Sequence, residues 1–128
     1  MPMDTSASPA SFSADLLDCT TLVALNGDEI TDRFIAALDR AGAHLVNTMS
    51  HSFPNAGLTC VLILRESHAV LHTWPETGTV NIDIFSCTTR LKSVQAIEDL
   101  GKSFGARHLL IQETARANGR VPSAPAAV

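Results

Sequence analysis

A serine, a histidine and a cysteine lie within one short, largely apolar stretch of the chain, residues 65–87. These side chains are Ser67, His72 and Cys87. A serine hydroxyl attacks a carbonyl carbon once a base activates it, and histidine and cysteine exchange protons near neutral pH. The combination supplies the groups that a polypeptide needs to process itself and to transfer a proton.

Alternating apolar and polar residues predict two strands that position these groups. Residues 79–87 place three aliphatic side chains on one face and four other side chains on the opposite face: Val80, Ile82 and Ile84 against Asn81, Asp83, Phe85 and Cys87. His72 lies on the preceding predicted strand, and a turn at residues 77–78 joins the two strands as an antiparallel hairpin. We therefore expect His72 and Cys87 to lie near each other.

Three segments of this stretch resemble the prokaryotic S-adenosylmethionine decarboxylase proenzymes. They are Glu66-Ser67-His68, His72-Thr73-Trp74-Pro75-Glu76 and Asp83-Ile84-Phe85-Ser86-Cys87. In element order the resemblance extends from Ala14 to Glu113, but it is specific only from His51 to Cys87, because a motif needs its structural context.

The resemblance implies that the chain cuts itself between Glu66 and Ser67 into a β chain, residues 1–66, and an α chain, residues 67–128. Ser67 would become a pyruvoyl group, which forms a Schiff base with the substrate amine and accepts electrons during decarboxylation. The resemblance assigns proton transfer during processing to His72 and Thr59. It assigns proton donation during decarboxylation to Cys87, since a thiol pKa of about 8.5 suits an acid near neutral pH.

S-adenosylmethionine is the substrate that the resemblance implies, and its decarboxylation would supply the aminopropyl donor for polyamine synthesis. Glu76 would bind the ribose hydroxyls. The adenine ring would stack on Phe53 or Phe85, because the chain contains no tyrosine. Asp83 is a further predicted substrate-binding residue.

Departures from the family pattern leave the substrate open. The family's Gly-Val-Ser-Gly segment is Gly57-Leu58-Thr59-Cys60 here, which keeps a hydroxyl but adds a side chain where the family has none. A pyruvoyl-dependent ornithine or arginine decarboxylase would use the same cofactor in a smaller pocket, with an acid for the side-chain cation. The remaining alternative is a non-catalytic binding module that is never processed.

Composition limits the class of protein further. The 128 residues, 45% of them hydrophobic, are enough for one compact core. The net charge of −4 and the pI near 5.6 argue against a nucleic-acid partner. No run approaches the roughly 20 apolar residues that span a bilayer, so no membrane contact is expected. Three widely spaced cysteines fit the cytoplasm better than a disulfide framework.

Metal binding is not expected. On a strand, His68 and His72 would be about 13 Å apart, and the chain has no Cys-x-x-Cys segment. Cys19 and Cys60 are interpreted as buried apolar residues, and Trp74 as a structural anchor in the core or at an interface.

The periodicity of the whole chain predicts an α+β fold, a two-layer α/β sandwich in which two helices cover one face of a mainly antiparallel sheet. Strands are predicted at 14–25, 43–50, 58–65, 69–74, 79–87 and 107–113. One helix is predicted to follow residues 26–28 and a second to span 91–104. The apolar face of the first helix would carry Ile30, Phe34, Ile35 and Leu38, and that of the second would carry Leu91, Val94, Ile97, Leu100 and Phe104. A single domain would cover 14–117, between flexible segments at 1–13 and 118–128. Because the second face of the sheet needs a cover, we expect a homodimer or larger assembly. The resemblance implies two active sites near its subunit interface.

Overall fold

The computed structural model describes residues 9–88 and 91–119. Strands and helices within these residues follow the order β1 (Ala10–Leu17), α1 (Gly27–Arg40), β2 (Leu45–Ser52), β3 (Leu58–Leu64), β4 (Ser67–Trp74), β5 (Thr79–Ser86), α2 (Ser93–Ser103) and β6 (His108–Ala115). A short 3-10 helix, Leu22–Ala24, lies between β1 and α1.

The six strands form one antiparallel sheet with the spatial order β2-β3-β4-β5-β1-β6. One face of the sheet packs against both helices in a single hydrophobic core, in which Leu16, Leu62, Leu71 and Ile82 are fully buried. The predicted two-layer sandwich, with both helices on one face, is therefore confirmed.

The opposite face of the sheet, called the open face below, has no covering layer within the described part of the chain. Directly paired residues of an antiparallel ladder point to the same side, so the strand pairing defines rows of neighbouring side chains. Three rows cross from β2 to β1: His51, Thr59, His72, Asn81 and Asp15; then Met49, Val61, Val70, Asp83 and Ser13; then Asn47, Ile63, His68, Phe85 and Ser11.

Helix α1 begins with a complete capping box. The side chain of Asn26 accepts a hydrogen bond from the backbone N–H of Glu29 at 2.8 Å, and the Glu29 carboxylate accepts one from the N–H of Asn26 at 3.1 Å. These bonds satisfy N–H groups that the start of a helix otherwise leaves unpaired. Ile30, Phe34 and Leu38 follow at helical spacing and are buried against the sheet, as predicted.

The first strand differs from its prediction. Strand β1 starts at Ala10, so residues 10–13 belong to the sheet and not to a flexible N-terminal segment. The strand ends at Leu17 because Asp18 has a φ of 54°, a turn that the continuous apolar pattern of residues 14–25 conceals. Residues 1–8 and 120–128, which contain most of the predicted flexible ends, lie outside the described residues.

Helix α2 and the other strands agree more closely with their predictions. Each of the other strand ends lies within two residues of its predicted position. Ile97 and Leu100 are buried in α2, as expected. Val94 was expected on the same buried face, but it is 40% exposed, because the buried side of α2 passes through Ser93 and Ala96 instead. Neither helix in the described residues is long and apolar enough to cross a membrane.

Removing the cap of α1 should destabilise the fold. In a Ser67→Ala background, which removes the serine of the expected cleavage, Asn26→Ala should lower the free energy of unfolding by about 1 kcal/mol, since the backbone N–H of Glu29 loses its acceptor. The control Glu98→Ala, at an exposed position of α2, should change it by less than about 0.5 kcal/mol. Guanidinium unfolding followed by circular dichroism, at one fixed protein concentration, measures both; equal effects would contradict the role of the cap.

Candidate active site

A tight turn between β3 and β4 puts Ser67 at the start of a strand. Leu64 pairs with Ser67, so the turn consists of Arg65 and Glu66 alone. Glu66 has a φ of 61°, in the left-handed region, where a residue with a side chain costs about 1–2 kcal/mol. The Glu66–Ser67 bond, the predicted cleavage site, therefore follows a strained residue that two paired strands hold in place.

The Ser67 hydroxyl lies beside Cys87. The β4–β5 ladder pairs His68 with Phe85, which brings Cys87, just beyond the end of β5, next to Ser67. The backbone N–H of Cys87 donates a hydrogen bond to Ser67 Oγ at 3.2 Å. Glu66, Ser67 and Cys87 thus form one group, called the cleavage cluster below.

The environment of Cys87 favours its protonated form. Burial raises the pKa of the Cys87 thiol above its ordinary value, and the negative charge of Glu66 raises it further. A hydrogen bond with Ser67 acts in the opposite direction but does not cancel this increase in the pKa. The thiol is therefore retained near neutral pH.

A groove of about 610 Å³ extends along the open face from the cleavage cluster. Its lining includes Ser13, Ser67, His68, Asp83, Phe85 and Arg116. The rings of His68 and Phe85 stack at a centroid distance of 5.6 Å and an interplanar angle of 9°, and the Arg116 guanidinium lies over Phe85 at 5.6 Å. His68 approaches from β4 and Arg116 from the side of β1, so both faces of the Phe85 ring are covered.

The other predicted site residues lie toward the opposite end of the open face. Thr59 Oγ1 and His72 Nδ1 form a hydrogen bond of 2.7 Å across the β3–β4 ladder. Phe53, in the loop after β2, is 46% exposed and meets the ring of His51 edge-on at 4.7 Å. Glu76 is exposed in the turn between β4 and β5. Phe53, Thr59, His72 and Glu76 are called the distal cluster below.

The expectation that His72 lies near Cys87 is wrong. His72 pairs with Asn81 in the β4–β5 hairpin, and Cys87 is six residues farther along the chain, about 20 Å at strand spacing. On β4 itself, His72 is five residues from Ser67, about 16 Å. The alternating pattern gives the face of a side chain correctly, but only the pairing register gives its position along the strand. Within one chain, the cleavage and distal clusters therefore do not meet.

Sequence reasoning missed several residues of the groove. Ser11 and Ser13 line it from β1, and Arg116, just after β6, donates a hydrogen bond to Ser11 Oγ at 2.8 Å. His68, for which a metal-binding role was not expected, stacks on the ring of Phe85. The polar alternation of residues 11–15 is a signal that could have revealed the β1 contribution. Nothing local marks Arg116, because its position depends on the pairing of β6 with a strand far away in sequence.

Two of the three residues interpreted as structural, Cys19 and Cys60, are buried, whereas Trp74 is exposed. Cys19 and Cys60 are buried free thiols, as predicted. Trp74 is 48% exposed, so it is not a core residue of the chain, and its indole N–H donates to Asn81 Oδ1 at 2.6 Å. Among the described residues, no three His, Cys, Asp or Glu side chains are grouped as a metal site requires.

The chain resembles known proteins along most of its length. A family model described as S-adenosylmethionine decarboxylase matches residues 10–117. The S-adenosylmethionine decarboxylase proenzyme of Prochlorococcus marinus is 35% identical over 94 residues, 73% of this chain and 75% of that protein. The proenzyme of the same name from Acidithiobacillus ferrooxidans is 31% identical over 113 residues, 88% of this chain and 85% of that protein.

The fold is also shared with a solved structure. The crystal structure of the adenosylmethionine decarboxylase from Aquifex aeolicus matches with a TM-score of 0.75 at 22% sequence identity, covering 96% of this chain and 100% of that chain. This match shows the fold, and the family model covers almost the whole described chain. The chain therefore belongs to the S-adenosylmethionine decarboxylase family.

Proposed function

We propose that this chain cuts itself between Glu66 and Ser67 and then decarboxylates S-adenosylmethionine with a pyruvoyl group made from Ser67. The observation that carries the proposal is the cleavage cluster, in which a serine hydroxyl follows a left-handed residue and lies beside a cysteine. The family assignment supports a decarboxylase that depends on such a group. Its product would be the aminopropyl donor for polyamine synthesis.

Self-cleavage begins when Ser67 Oγ attacks the carbonyl carbon of Glu66. The hydroxyl proton passes to a base, the acyl group moves from nitrogen to oxygen, and the peptide becomes an ester with a free amine. Loss of the α-proton of residue 67 then expels the Glu66 carboxylate and leaves dehydroalanine, which water hydrolyses to pyruvoyl and ammonia. The elimination requires a leaving oxygen on the β-carbon, which Ser67 supplies. Cleavage also releases the strain of the left-handed turn.

In this proposal, Cys87 completes the decarboxylation as a proton donor. The pyruvoyl carbonyl would bind the substrate's α-amine and accept the electrons released with carbon dioxide. Cys87 can then give a proton to the substrate α-carbon, because it adjoins residue 67 and its raised pKa keeps the thiol protonated. In the intact chain, the carboxylate of Glu66 contributes to this raised pKa.

The base for self-cleavage must come from outside the cleavage cluster. The hydrogen-bonded pair of Thr59 and His72 suits the task, because a neutral imidazole has a ring nitrogen that can accept a proton. In its own chain, however, the pair lies about 16 Å from Ser67 along β4. A partner subunit removes this difficulty. If two open faces pack about a two-fold axis perpendicular to the strands, the distal cluster of each subunit lies over the cleavage cluster of the other.

The open face has the apolar content of an interface. Met49 is 71% exposed, Ile63 is 45% exposed, and Val61 and Val70 are half-buried in the row between the two clusters. A monomer would leave this apolar area in water, which soluble proteins generally avoid. We therefore propose a homodimer with two sites, each combining the cleavage cluster of one subunit with the distal cluster of its partner.

The distal cluster also carries the groups suited to an adenosyl moiety. A carboxylate such as Glu76 can accept hydrogen bonds from both ribose hydroxyls. Phe53 has an exposed ring that can stack on adenine, whereas both faces of Phe85 are already covered. The nucleoside would thus bind against the subunit opposite the one that supplies the pyruvoyl group.

One observation favours a second candidate, a decarboxylase of ornithine or arginine. The Phe85 ring in the groove beside Ser67 already contacts His68 and Arg116, and a small basic amino acid needs no aromatic partner. Carbon dioxide release measured with S-adenosylmethionine, ornithine and arginine side by side decides between the two candidates.

We place the proposed enzyme in the cytoplasm. Its three cysteines are free thiols, the usual state of cysteine in a reducing compartment. The partners in this proposal are a small-molecule substrate and a second copy of the chain. The acidic net charge of −4 offers no basis for binding nucleic acid.

Mass spectrometry of the purified protein tests self-cleavage. The wild-type chain should give two fragments divided before residue 67, with the second fragment lacking its terminal amine. Ser67→Ala should give one intact chain, because alanine has no leaving oxygen. An intact wild-type chain would instead favour a binding module that is never processed.

The carboxylate of Glu66 should affect the titration of Cys87. The negative charge of Glu66 raises the pKa of the Cys87 thiol, so its removal should lower that pKa. In the uncut Ser67→Ala background, Glu66→Gln should therefore shift the alkylation of Cys87 by iodoacetamide to lower pH. Peptide mass spectrometry over a pH series measures the rate at this cysteine alone. Asp15→Asn removes a carboxylate three rows from Cys87, about 20 Å along the strand direction, and should leave the profile in place; equal shifts would argue against a local effect of Glu66.

Co-expression of two inactive chains tests the shared site. His72→Ala and Ser67→Ala should each remain uncut when expressed alone. Together they form mixed dimers in which the His72→Ala chain meets an intact distal cluster, so about half of the His72→Ala chains should be cut at equal expression and random pairing. Mass spectrometry distinguishes the chains. No cleavage in the mixture would show that both clusters must belong to one chain.

A further inference from the structure

The groove beside Ser67 has charges of opposite sign at two positions along the sheet. Arg116 lies over Phe85 and donates to Ser11, in the row nearest the cleavage cluster. Asp83 lies two residues from Phe85 along β5, about 7 Å farther from that end. Both charged side chains line the same groove as Ser67.

The Asp83 carboxylate is held in an orientation in which it can bind a cation. Ser13 Oγ donates a hydrogen bond to Asp83 Oδ1 at 3.2 Å, which fixes the carboxylate on the open face while its second oxygen remains available. Asp83 pairs with Val70, three residues beyond Ser67 on β4, so it lies about 10 Å along the strand from the reacting position. A substrate side chain directed along the groove would carry its positive charge toward this carboxylate. Glu66, by contrast, adjoins the reacting position itself.

We propose that Asp83 binds the positively charged group in the side chain of the substrate, and that Arg116 repels that group from the other end of the groove. The inference rests on the proposed function and names the determinant of its substrate class: an amino acid with a sulfonium, ammonium or guanidinium side chain. Because this charge does not change during decarboxylation, Asp83 contributes equally to substrate and transition-state binding. Its loss therefore raises KM and leaves kcat nearly constant.

The test uses the processed wild-type enzyme and whichever of S-adenosylmethionine, ornithine or arginine it decarboxylates. Asp83→Asn should raise KM for that substrate about tenfold, because the variant loses the attraction between the carboxylate and the fixed positive charge of the substrate, with kcat within about twofold. Inhibition by the matching neutral analogue, S-adenosylhomocysteine, norvaline or citrulline, should not change. The preference for the cation over its neutral analogue should thus fall about tenfold.

Two further variants serve as controls. Glu113→Gln removes a carboxylate from the helix-facing side of β6 and should leave both constants unchanged. Arg116→Gln should leave KM for the cationic substrate unchanged or lower it. If Arg116→Gln instead raised the KM of the substrate and the inhibition constant of the neutral analogue by the same factor, Arg116 would bind the substrate carboxylate. That result would overturn its part in the proposal.

The extent of self-cleavage, measured by mass in every variant, separates the two levels of the argument. Processed Asp83→Asn enzyme that keeps its preference for the cation would overturn the inference but leave the proposed function intact. Asp83→Asn chain that folds without cleaving would also overturn the inference, since it would place Asp83 in processing. Wild-type chain that never cleaves would overturn both.

Discussion

The antiparallel register of β3, β4 and β5 is the constraint on which the site depends. A turn of only two residues fixes Ser67 opposite Leu64, and the same ladder then fixes Thr59 opposite His72. A slip of one residue would turn every core side chain of β4 toward the open face. Burial of the helix-facing side therefore enforces the position of Ser67 indirectly, through residues such as Leu71 that have no role in the chemistry.

The same register separates the groups that the reaction requires. Strand β4 carries Ser67 at its start and His72 five residues later, so no side-chain rotation can bring them together. In the proposed homodimer, a second copy of the strand approaches in the opposite direction and brings the two residues to one site. One two-fold interface would then both cover the uncovered sheet face and complete the divided site.

Much of the fold could be predicted from the sequence because its pattern is local. The helical spacing of Ile30, Phe34 and Leu38 and the alternation in β5 each appear within a dozen residues, and both were interpreted correctly. The family assignment likewise confirms the expected enzyme class and pyruvoyl cofactor. The prediction that His72 lies near Cys87 was wrong, because the alternation of residues fixes the face of each side chain but not the pairing register of the strands. Arg116 was missed because its neighbours belong to a strand at the other end of the chain.

The turn between β3 and β4 has glutamate at a position where the backbone conformation favours glycine. Glycine would adopt the positive φ without the cost of about 1–2 kcal/mol that a side chain incurs. Glycine, however, would place no charge beside Cys87, and part of the increase in the thiol pKa comes from the Glu66 carboxylate. In the proposed reaction, the strain in the turn is released at cleavage, while in the intact chain the carboxylate raises the pKa of the thiol beside it. A single residue in an unfavourable conformation can therefore contribute both strain at the bond to be cut and charge beside the thiol.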